Sequence, residues 1–214
     1  WAPALNKLFW IAASLGGMAV ADLCFAAHTP ARWLWLHALG NLFVGFAALP
    51  DLYRTVMDPV HSMGGSPNSM VPAFVIPAIH LYHMLAFKLP FADVVHHVVF
   101  AGVICPVGLM LDAGPIQNAV GFFLCGWPGG FDYLMLALVK HQVMSPLREK
   151  RINARINTWL RAPGLAFCAF TIYVAENPLG LPAWALHLMS ALCLLNGQYY
   201  QQVVVGNTFI RTRQ

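Results

Sequence analysis

Long runs of apolar residues fill the chain, and short polar segments separate them. The runs are apolar throughout, which predicts α-helices. The strands of a membrane β-barrel would instead alternate between apolar and polar residues. Each run has close to the roughly 20 residues that a helix needs to cross the hydrocarbon of a bilayer. The pattern predicts seven such spans, at residues 8–27, 32–50, 70–87, 92–111, 116–140, 157–175 and 181–206.

Composition supports a location in a membrane. Of the 214 residues, 59% are hydrophobic and only 9% are charged, whereas about a quarter of the residues in a soluble domain are charged. We therefore expect an all-α integral membrane protein with a single polytopic domain over residues 1–214. The longest polar connection is predicted as a flexible loop at residues 51–69.

The basic residues predict an orientation, because loops on the cytoplasmic side of a membrane are enriched in lysine and arginine. The seven spans divide these residues ten to two, which predicts an outer N-terminus and an inner C-terminus in the endoplasmic reticulum or an organellar membrane. Topology thus explains the basic charge without a nucleic-acid partner. The inner ten are Arg32, Lys88, Lys140, Arg148, Lys150, Arg151, Arg155, Arg161, Arg211 and Arg213, and the outer two are Lys7 and Arg54.

Two neighbouring spans carry four histidines. His80 and His83 are three residues apart on the third span, so they share one helical face beside Tyr82. His96 and His97 follow on the fourth span. A polar group in hydrocarbon must be hydrogen-bonded, bound to a ligand or hydrated. The pattern leaves two interpretations open, a functional site or structural hydrogen bonds between helices.

Asp93 precedes the histidine pair by three and four residues. It is therefore a candidate to accept a proton from either imidazole and to fix its tautomer, as carboxylates do in catalytic and metal sites.

The fifth span contains the sequence CGWPGGFDYLML, in which Pro128 and two glycines precede Asp132. This pattern predicts either a helix break that lines a cavity or a kink that lets helices pack closely. Asp132 needs to be neutral, paired or hydrated, and Arg161 or a histidine is its candidate partner.

The last span ends in LNGQYYQQVVVGN. Asn196, Gln198 and Tyr199 either line the same interior or, in the case of Tyr199 and Tyr200, form an aromatic belt at the membrane interface.

Two other classes of membrane protein are disfavoured. A retinal protein needs a lysine inside its last helix, but the four lysines, at positions 7, 88, 140 and 150, lie outside that span. A histidine-rich metalloenzyme would be indicated by HxxxH or HxxHH spacing, which is absent from the sequence, so we expect no metal. The five cysteines lack CxxC spacing and read as packing residues.

Taken in order, the motifs resemble the TLC-domain family, which includes ceramide synthases, translocation-associated membrane proteins and small lipid regulators. The resemblance covers residues 51–211. In that family a Leu-Tyr-Asp helix, a helix with a His-His pair and a helix with a proline break follow one another. The matching segments here are LYH at 81–83, the pair at 96–97, GWPGGFDYL at 126–134 and the closing helix LNGQYYQQVVVGN.

The resemblance implies a fold in which six helices form a barrel around a lipid-accepting cavity, with one further helix. It assigns catalysis to His96 and His97 with Asp93 as the orienting group, and acyl-CoA as the substrate, without a tightly bound cofactor. The residues that we expect to contact the lipid are His80, Tyr82, His83, Trp127, Asp132, Asn196, Gln198 and Tyr199.

Departures from the family pattern affect the expected mechanism. The acidic position of the Leu-Tyr-Asp motif is His83, the glutamate before the break is missing, and the next carboxylate after the pair is Asp112. The favoured expectation is therefore a protein that binds or senses a membrane lipid, alone or as an accessory subunit of a membrane complex. The alternative is an acyl-CoA-dependent lipid acyltransferase of the ceramide-synthase type.

Overall fold

A computed structural model describes residues 2–213, with all of their side chains except those of residues 2–4, 92 and 100. The described residues are all-helical, as the sequence predicts, and they contain no strand. The ten α-helices among them are α1 (Ala2–Cys24), α2 (Arg32–Met57), α3 (Val71–Ala86), α4 (Phe91–Val99), α5 (Cys105–Leu111), α6 (Pro115–Leu124), α7 (Gly126–Lys140), α8 (Pro146–Ile156), α9 (Ala162–Val174) and α10 (Ala183–Arg213).

These helices join into seven segments within the described residues, which confirms the number of predicted runs. Short π-helices connect α4 to α5 at Phe100–Ile104 and α8 to α9 at Asn157–Arg161, and only Cys125 separates α6 from α7. The segment Val71–Ala86 is apolar but short. Four helical stretches are long and apolar enough to cross a membrane, namely Leu5–His28, Arg32–Met57, Asp93–Leu111 and Pro115–Lys140.

Two boundaries differ from the prediction because polar residues there are helical. The predicted loop at 51–69 begins only after Met57, where α2 ends. The sixth segment begins at Pro146, eleven residues before the predicted 157. There the Ser145 hydroxyl accepts a hydrogen bond from the Arg148 backbone N–H at 3.3 Å, which caps the helix. Hydropathy alone does not detect such helical turns.

The helix α2 lies against α3, α6 and α7, while α10 packs on α8 and α9, and α1 packs on α3. Small residues allow the close contact between α7 and α2. A Cβ atom on Gly129 would lie 3.0 Å from the Asn41 side chain, and one on Gly130 would lie 2.8 Å from Leu42. The break itself lies at Cys125, and Pro128 is inside α7. This geometry favours the close-packing interpretation of the fifth segment.

A fully buried carboxylate, that of Asp51, connects three parts of the fold. It accepts hydrogen bonds from the Asn68 backbone N–H at 2.8 Å and from the Asn68 amide at 2.7 Å. Asn118 on α6 donates a third at 2.6 Å. Without the carboxylate, the two Asn68 donors would lose their acceptor and the Asn118 amide would keep only the Ser69 carbonyl, so Asp51 holds the loop after α2 and the start of α6 in place.

Replacing Asp51 with asparagine is expected to lower the free energy of unfolding by about 2–4 kcal/mol, because an amide NH₂ then faces donors that need an acceptor. The matched control is Asp112→Asn, since Asp112 is exposed and its φ of 48° suits asparagine. Thermal unfolding in detergent measures both variants. Equal melting temperatures for the two would contradict the assigned role of Asp51.

The loops that follow the C-terminal ends of α2 and α9 meet through His61. Its Nδ1 lies 2.9 Å from Asp58 Oδ1, and its Nε2 lies 3.7 Å from Glu176 Oε1. The hydrogen bond with Asp58 and the charges of Asp58 and Glu176 raise the pKa of His61 above its ordinary value. The same hydrogen bond lowers the pKa of Asp58.

The sign of these two shifts defines a pH window for the contact. The contact of protonated His61 stabilises the folded loop at low pH, and this stabilisation is lost as the pH rises through the raised pKa of His61. The contact of ionised Asp58 stabilises the loop at higher pH, and this stabilisation is lost as the pH falls through the lowered pKa of Asp58. An NMR titration is expected to give a His61 pKa above that of free histidine, and Asp58→Asn is expected to lower it. An unchanged His61 pKa in this variant would refute the contact.

Candidate functional site

Five histidines from three helices form one group, here called the histidine cluster: His37 on α2, His80 and His83 on α3, and His96 and His97 on α4. Their ring centroids are 5.1 Å apart for His80 and His97 and 4.9 Å apart for His83 and His97. The rings of His37 and His83 are 4.6 Å apart. The connection between α3 and α4 is only residues 87–90, and so short a connection makes the two helices antiparallel neighbours.

Backbone carbonyls orient two of these imidazoles. Nδ1 of His80 lies 2.8 Å from the Ile76 carbonyl oxygen, and Nδ1 of His37 lies 2.9 Å from that of Trp33. A carbonyl only accepts hydrogen bonds, so each Nδ1 must carry the proton. The lone pair of each neutral ring is therefore on Nε2, which makes Nε2 the nitrogen that can accept a proton or bind a metal.

Aromatic side chains cover the side of the cluster next to α2 and α7. The indole of Trp33 stacks on His83 with 5.4 Å between ring centroids and 15° between planes. Tyr133 on α7 lies 4.6 Å from His37 and 5.7 Å from Trp33 by the same measure. These contacts fix the inner imidazoles in an apolar surrounding.

The cluster is open on one side. The side chains of His37, His83 and His97 are buried, with 6%, 7% and 6% of their surface exposed. His80 is half-buried and His96 is exposed. Nδ1 of His83 and Nδ1 of His97 are buried and have no hydrogen-bond partner among the described residues. The arrangement therefore offers buried polar nitrogens next to an accessible imidazole.

Asp93 lies one helical turn before His96 and His97 on the exposed side of α4. Because the Nδ1 atom of His97 has no partner in the described part of the chain, Asp93 does not orient this ring through Nδ1. The tautomers that the geometry does define are set by the carbonyls of Ile76 and Trp33.

An apolar cleft begins one helical turn from His80. It has a volume of about 110 Å³ and lies between α3, the end of the π-helix, α5 and α6. Ile76 and Pro77 form its wall on α3, and Ile104 and Cys105 form the opposite wall. The cleft and the histidine cluster thus share α3 and the continuous segment formed by α4, the π-helix and α5, with the polar groups at one end and the apolar surface at the other.

Tyr82, a predicted contact of the site, faces away from the cluster. Its hydroxyl donates a hydrogen bond of 2.7 Å to Asp22 on α1, and Asp22 also forms an ion pair with Arg32. A helix advances about 100° per residue, so Tyr82 and His80 point to opposite sides of α3. The structure therefore places Tyr82 in the contact between α1, α2 and α3.

Asp132 belongs to a second polar group, near α8 and α10. Asn153 donates a hydrogen bond of 2.7 Å to Asp132, so this asparagine supplies the contact for which the sequence suggested Arg161 or a histidine. Arg161 instead donates to Asn196 at 3.3 Å and lies over the ring of Tyr200 at 4.3 Å. Asp132 and Asn196 therefore have hydrogen-bond partners that do not belong to the histidine cluster.

Three further predicted residues lie elsewhere. Trp127 packs against Phe46 and Phe122 in the hydrophobic core, at 5.4 and 5.3 Å between ring centroids. Gln198 and Tyr199 are exposed on α10. Their outward position fits the aromatic-belt interpretation of this segment better than a role in lining an interior.

The sequence prediction missed His37, together with its neighbours Trp33 and Tyr133. His37 is a single histidine in an apolar helix, more than forty residues before the others, so spacing did not connect it with them. The rule that an ionisable residue inside an apolar helix is a candidate functional residue would have included it.

Comparisons of the chain with protein-family models, with characterised proteins and with solved structures gave no match.

Diethylpyrocarbonate labelling tests the open side of the cluster, because the reagent modifies accessible unprotonated imidazoles. We expect rapid modification of the exposed His96 and of the exposed control His187, and slow modification of the buried His97. Peptide mass spectrometry resolves the two adjacent histidines by fragmentation. Equal rates at positions 96 and 97 would contradict the burial difference.

Proposed function

We propose that the chain is a multi-pass membrane protein that binds a lipid, with the lipid's polar group at the histidine cluster and its apolar chain in the adjoining cleft. The observation that carries this proposal is the position of the cleft on α3 one turn from His80, with its opposite wall on the segment that continues from α4 through the π-helix into α5. A lipid needs this combination of a few polar anchors and an apolar surface.

The size and openness of the cleft favour partial enclosure of the lipid. Its volume of about 110 Å³ is well below the roughly 300–1,000 Å³ of pockets that enclose a ligand. The side chains of Val103, Ile104 and Val107 are exposed along the same stretch. An acyl chain would therefore lie partly in the cleft and partly along the outer surface of α5, in contact with the bilayer.

The proposed orientation places the C-terminus and the polar helix α8 on the inner side. Arg148, Arg151 and Arg155 are exposed on α8, and Glu149 and Asn153 of the same helix are buried. A row of exposed arginines beside apolar segments is typical of the cytoplasmic side of a membrane. The resemblance to the TLC-domain family supports the same architecture and a reticulum or organellar location.

A lipid acyltransferase is the second candidate, and the accessibility of His96 favours it. An exposed imidazole beside tautomer-fixed His80 is suited to accept the proton of an attacking lipid amine or hydroxyl. The nucleophile would add to the acyl-CoA carbonyl, the C–S bond would break, and the thiolate of coenzyme A would take up the proton. Among the described residues His96 is the candidate base, whereas no oxyanion donor is assigned at the cluster.

Native mass spectrometry of the purified chain with its bound lipids tests the proposal. Two changes address the two ends of the site: His96→Ala combined with His97→Ala removes the polar anchors, and Ala73→Leu fills the cleft, which Ala73 lines. We expect each to reduce lipid occupancy at least tenfold. The matched controls are His187→Ala and Ala13→Leu, at exposed positions on α10 and α1.

Retention of the lipid in both site variants would refute binding at this site. If the double histidine variant fails to fold, Ala73→Leu still decides the question, because it leaves the cluster intact. Co-purification of a stoichiometric protein with no lipid would favour the accessory-subunit role. Transfer of a labelled acyl group from acyl-CoA to a lipid, abolished in His96→Ala, would favour the acyltransferase.

A further inference from the structure

We propose that His80, His96 and His97 bind one divalent transition-metal ion. The three residues each offer one ring nitrogen, and these nitrogens all lie within 4.8 Å of one another. His80 comes from α3, and the adjacent pair comes from the antiparallel helix α4. The site does not depend on the proposed lipid function, since it rests on the imidazoles alone.

The distances fit a site that closes around an ion. A zinc–nitrogen bond is about 2.0–2.1 Å, which places tetrahedral ligand nitrogens about 3.3 Å apart. The ring nitrogens, which lie within 4.8 Å of one another, therefore need to approach by up to about 1.5 Å, a movement within reach of rotations about the side-chain torsions. Imidazole nitrogens suit Zn²⁺, Cu²⁺, Ni²⁺ and Fe²⁺, so the ligand class is a first-row transition metal.

The hydrogen bond between His80 and Ile76 prepares His80 for this role. Because Nδ1 donates to the Ile76 carbonyl oxygen at 2.8 Å, the lone pair of His80 is on Nε2. Metal-binding histidines generally have their second nitrogen bonded to a carbonyl or carboxylate in this way, which fixes the ring and raises its basicity.

The buried Nδ1 of His97 supplies an independent argument. It has no hydrogen-bond partner among the described residues, and an unsatisfied polar atom in an apolar surrounding is costly. A metal bond at this nitrogen, in the tautomer that leaves it unprotonated, would satisfy it. The nitrogen without a hydrogen-bond partner therefore belongs to one of the three candidate metal ligands.

Exposure leaves room for a further ligand. His97 is buried, His80 is half-buried and His96 is exposed, so the ion would lie at the edge of the protein with one side open. Three protein ligands with an open position are the arrangement of catalytic rather than structural zinc sites. Asp93, one turn before the pair, adds a negative charge on the side from which a cation would enter.

The sequence spacing did not indicate this site because the ligands do not come from one helix. The rings of His80 and His97 meet across two antiparallel helices, with 5.1 Å between their centroids. HxxxH spacing tests only for ligands on a single helical face.

Cobalt titration of the 214-residue chain in detergent, after removal of metal with EDTA, tests the site. Co²⁺ bound by nitrogen ligands gives visible absorption bands that report its coordination. We expect one Co²⁺ per chain, displaced by one Zn²⁺, and a rise in the melting temperature on binding. His80→Ala and His96→Ala are each expected to weaken binding at least tenfold.

A control separates coordination from general disturbance. His187→Ala removes an exposed imidazole on α10 that stacks on Tyr173 at 5.7 Å and lies outside the histidine cluster. It should retain one Co²⁺ per chain. Because His96 is exposed, His96→Ala is expected to fold normally, so it decides the question even if changes at His80 or His97 affect folding.

The proposal is overturned if wild-type protein takes up no stoichiometric Co²⁺ at micromolar concentrations. It is also overturned if His96→Ala binds the ion with the affinity of the wild type. If Co²⁺ binds and EDTA does not change the lipid occupancy, the metal site is supported and is independent of lipid binding.

Discussion

A polar side chain on an apolar helix needs its partner inside the protein, and this requirement determines how the helical segments contact one another. Asp51 bonds the loop after α2 and the first turn of α6. Asp22 on α1 is satisfied by Arg32 and Tyr82, so that one carboxylate joins α1, α2 and α3. Burying a carboxylate without such donors would cost several kcal/mol, on the order of the whole stability of a small domain.

The histidines of the cluster also need hydrogen-bond partners inside the protein, but only some of their nitrogens have one. The carbonyls of Trp33 and Ile76 satisfy one nitrogen of His37 and one of His80, but buried Nδ1 atoms of His83 and His97 have no partner among the described residues. Polar groups that are held in position but not fully satisfied are available to a ligand. The open side at His96 and the neighbouring apolar cleft give such a ligand a route from the surface.

Much of the helical architecture could be predicted because continuous apolar runs are a strong local signal. The contact between the histidines of α3 and α4 could also be predicted from the sequence, since His80 and His83 share a helical face and a short connection makes the next helix antiparallel. The hydrogen bond from Asn153 to Asp132 could not be predicted from the sequence, because α8 is polar and hydropathy does not predict a helix there. Tyr82 was assigned to the site by its place in the sequence, although its helical angle directs it to Asp22.

The contribution of His37 shows the limit of spacing arguments. Its neighbours in space, His83 and Tyr133, are far from it in sequence and on different helices. Only the packing of α2 between α3 and α7 brings them together, and that packing depends on small residues whose contacts a single sequence does not reveal.

The backbone carbonyls of Trp33 and Ile76 hold the imidazoles of His37 and His80 with their lone pairs on Nε2. Solid-state NMR of the chain with ¹⁵N-labelled histidine rings in a bilayer measures this directly, with His37→Gln and His80→Gln used to assign the signals by difference. The account predicts that both rings are neutral and protonated at Nδ1. Rings protonated at Nε2 alone, or doubly protonated at neutral pH, would contradict it.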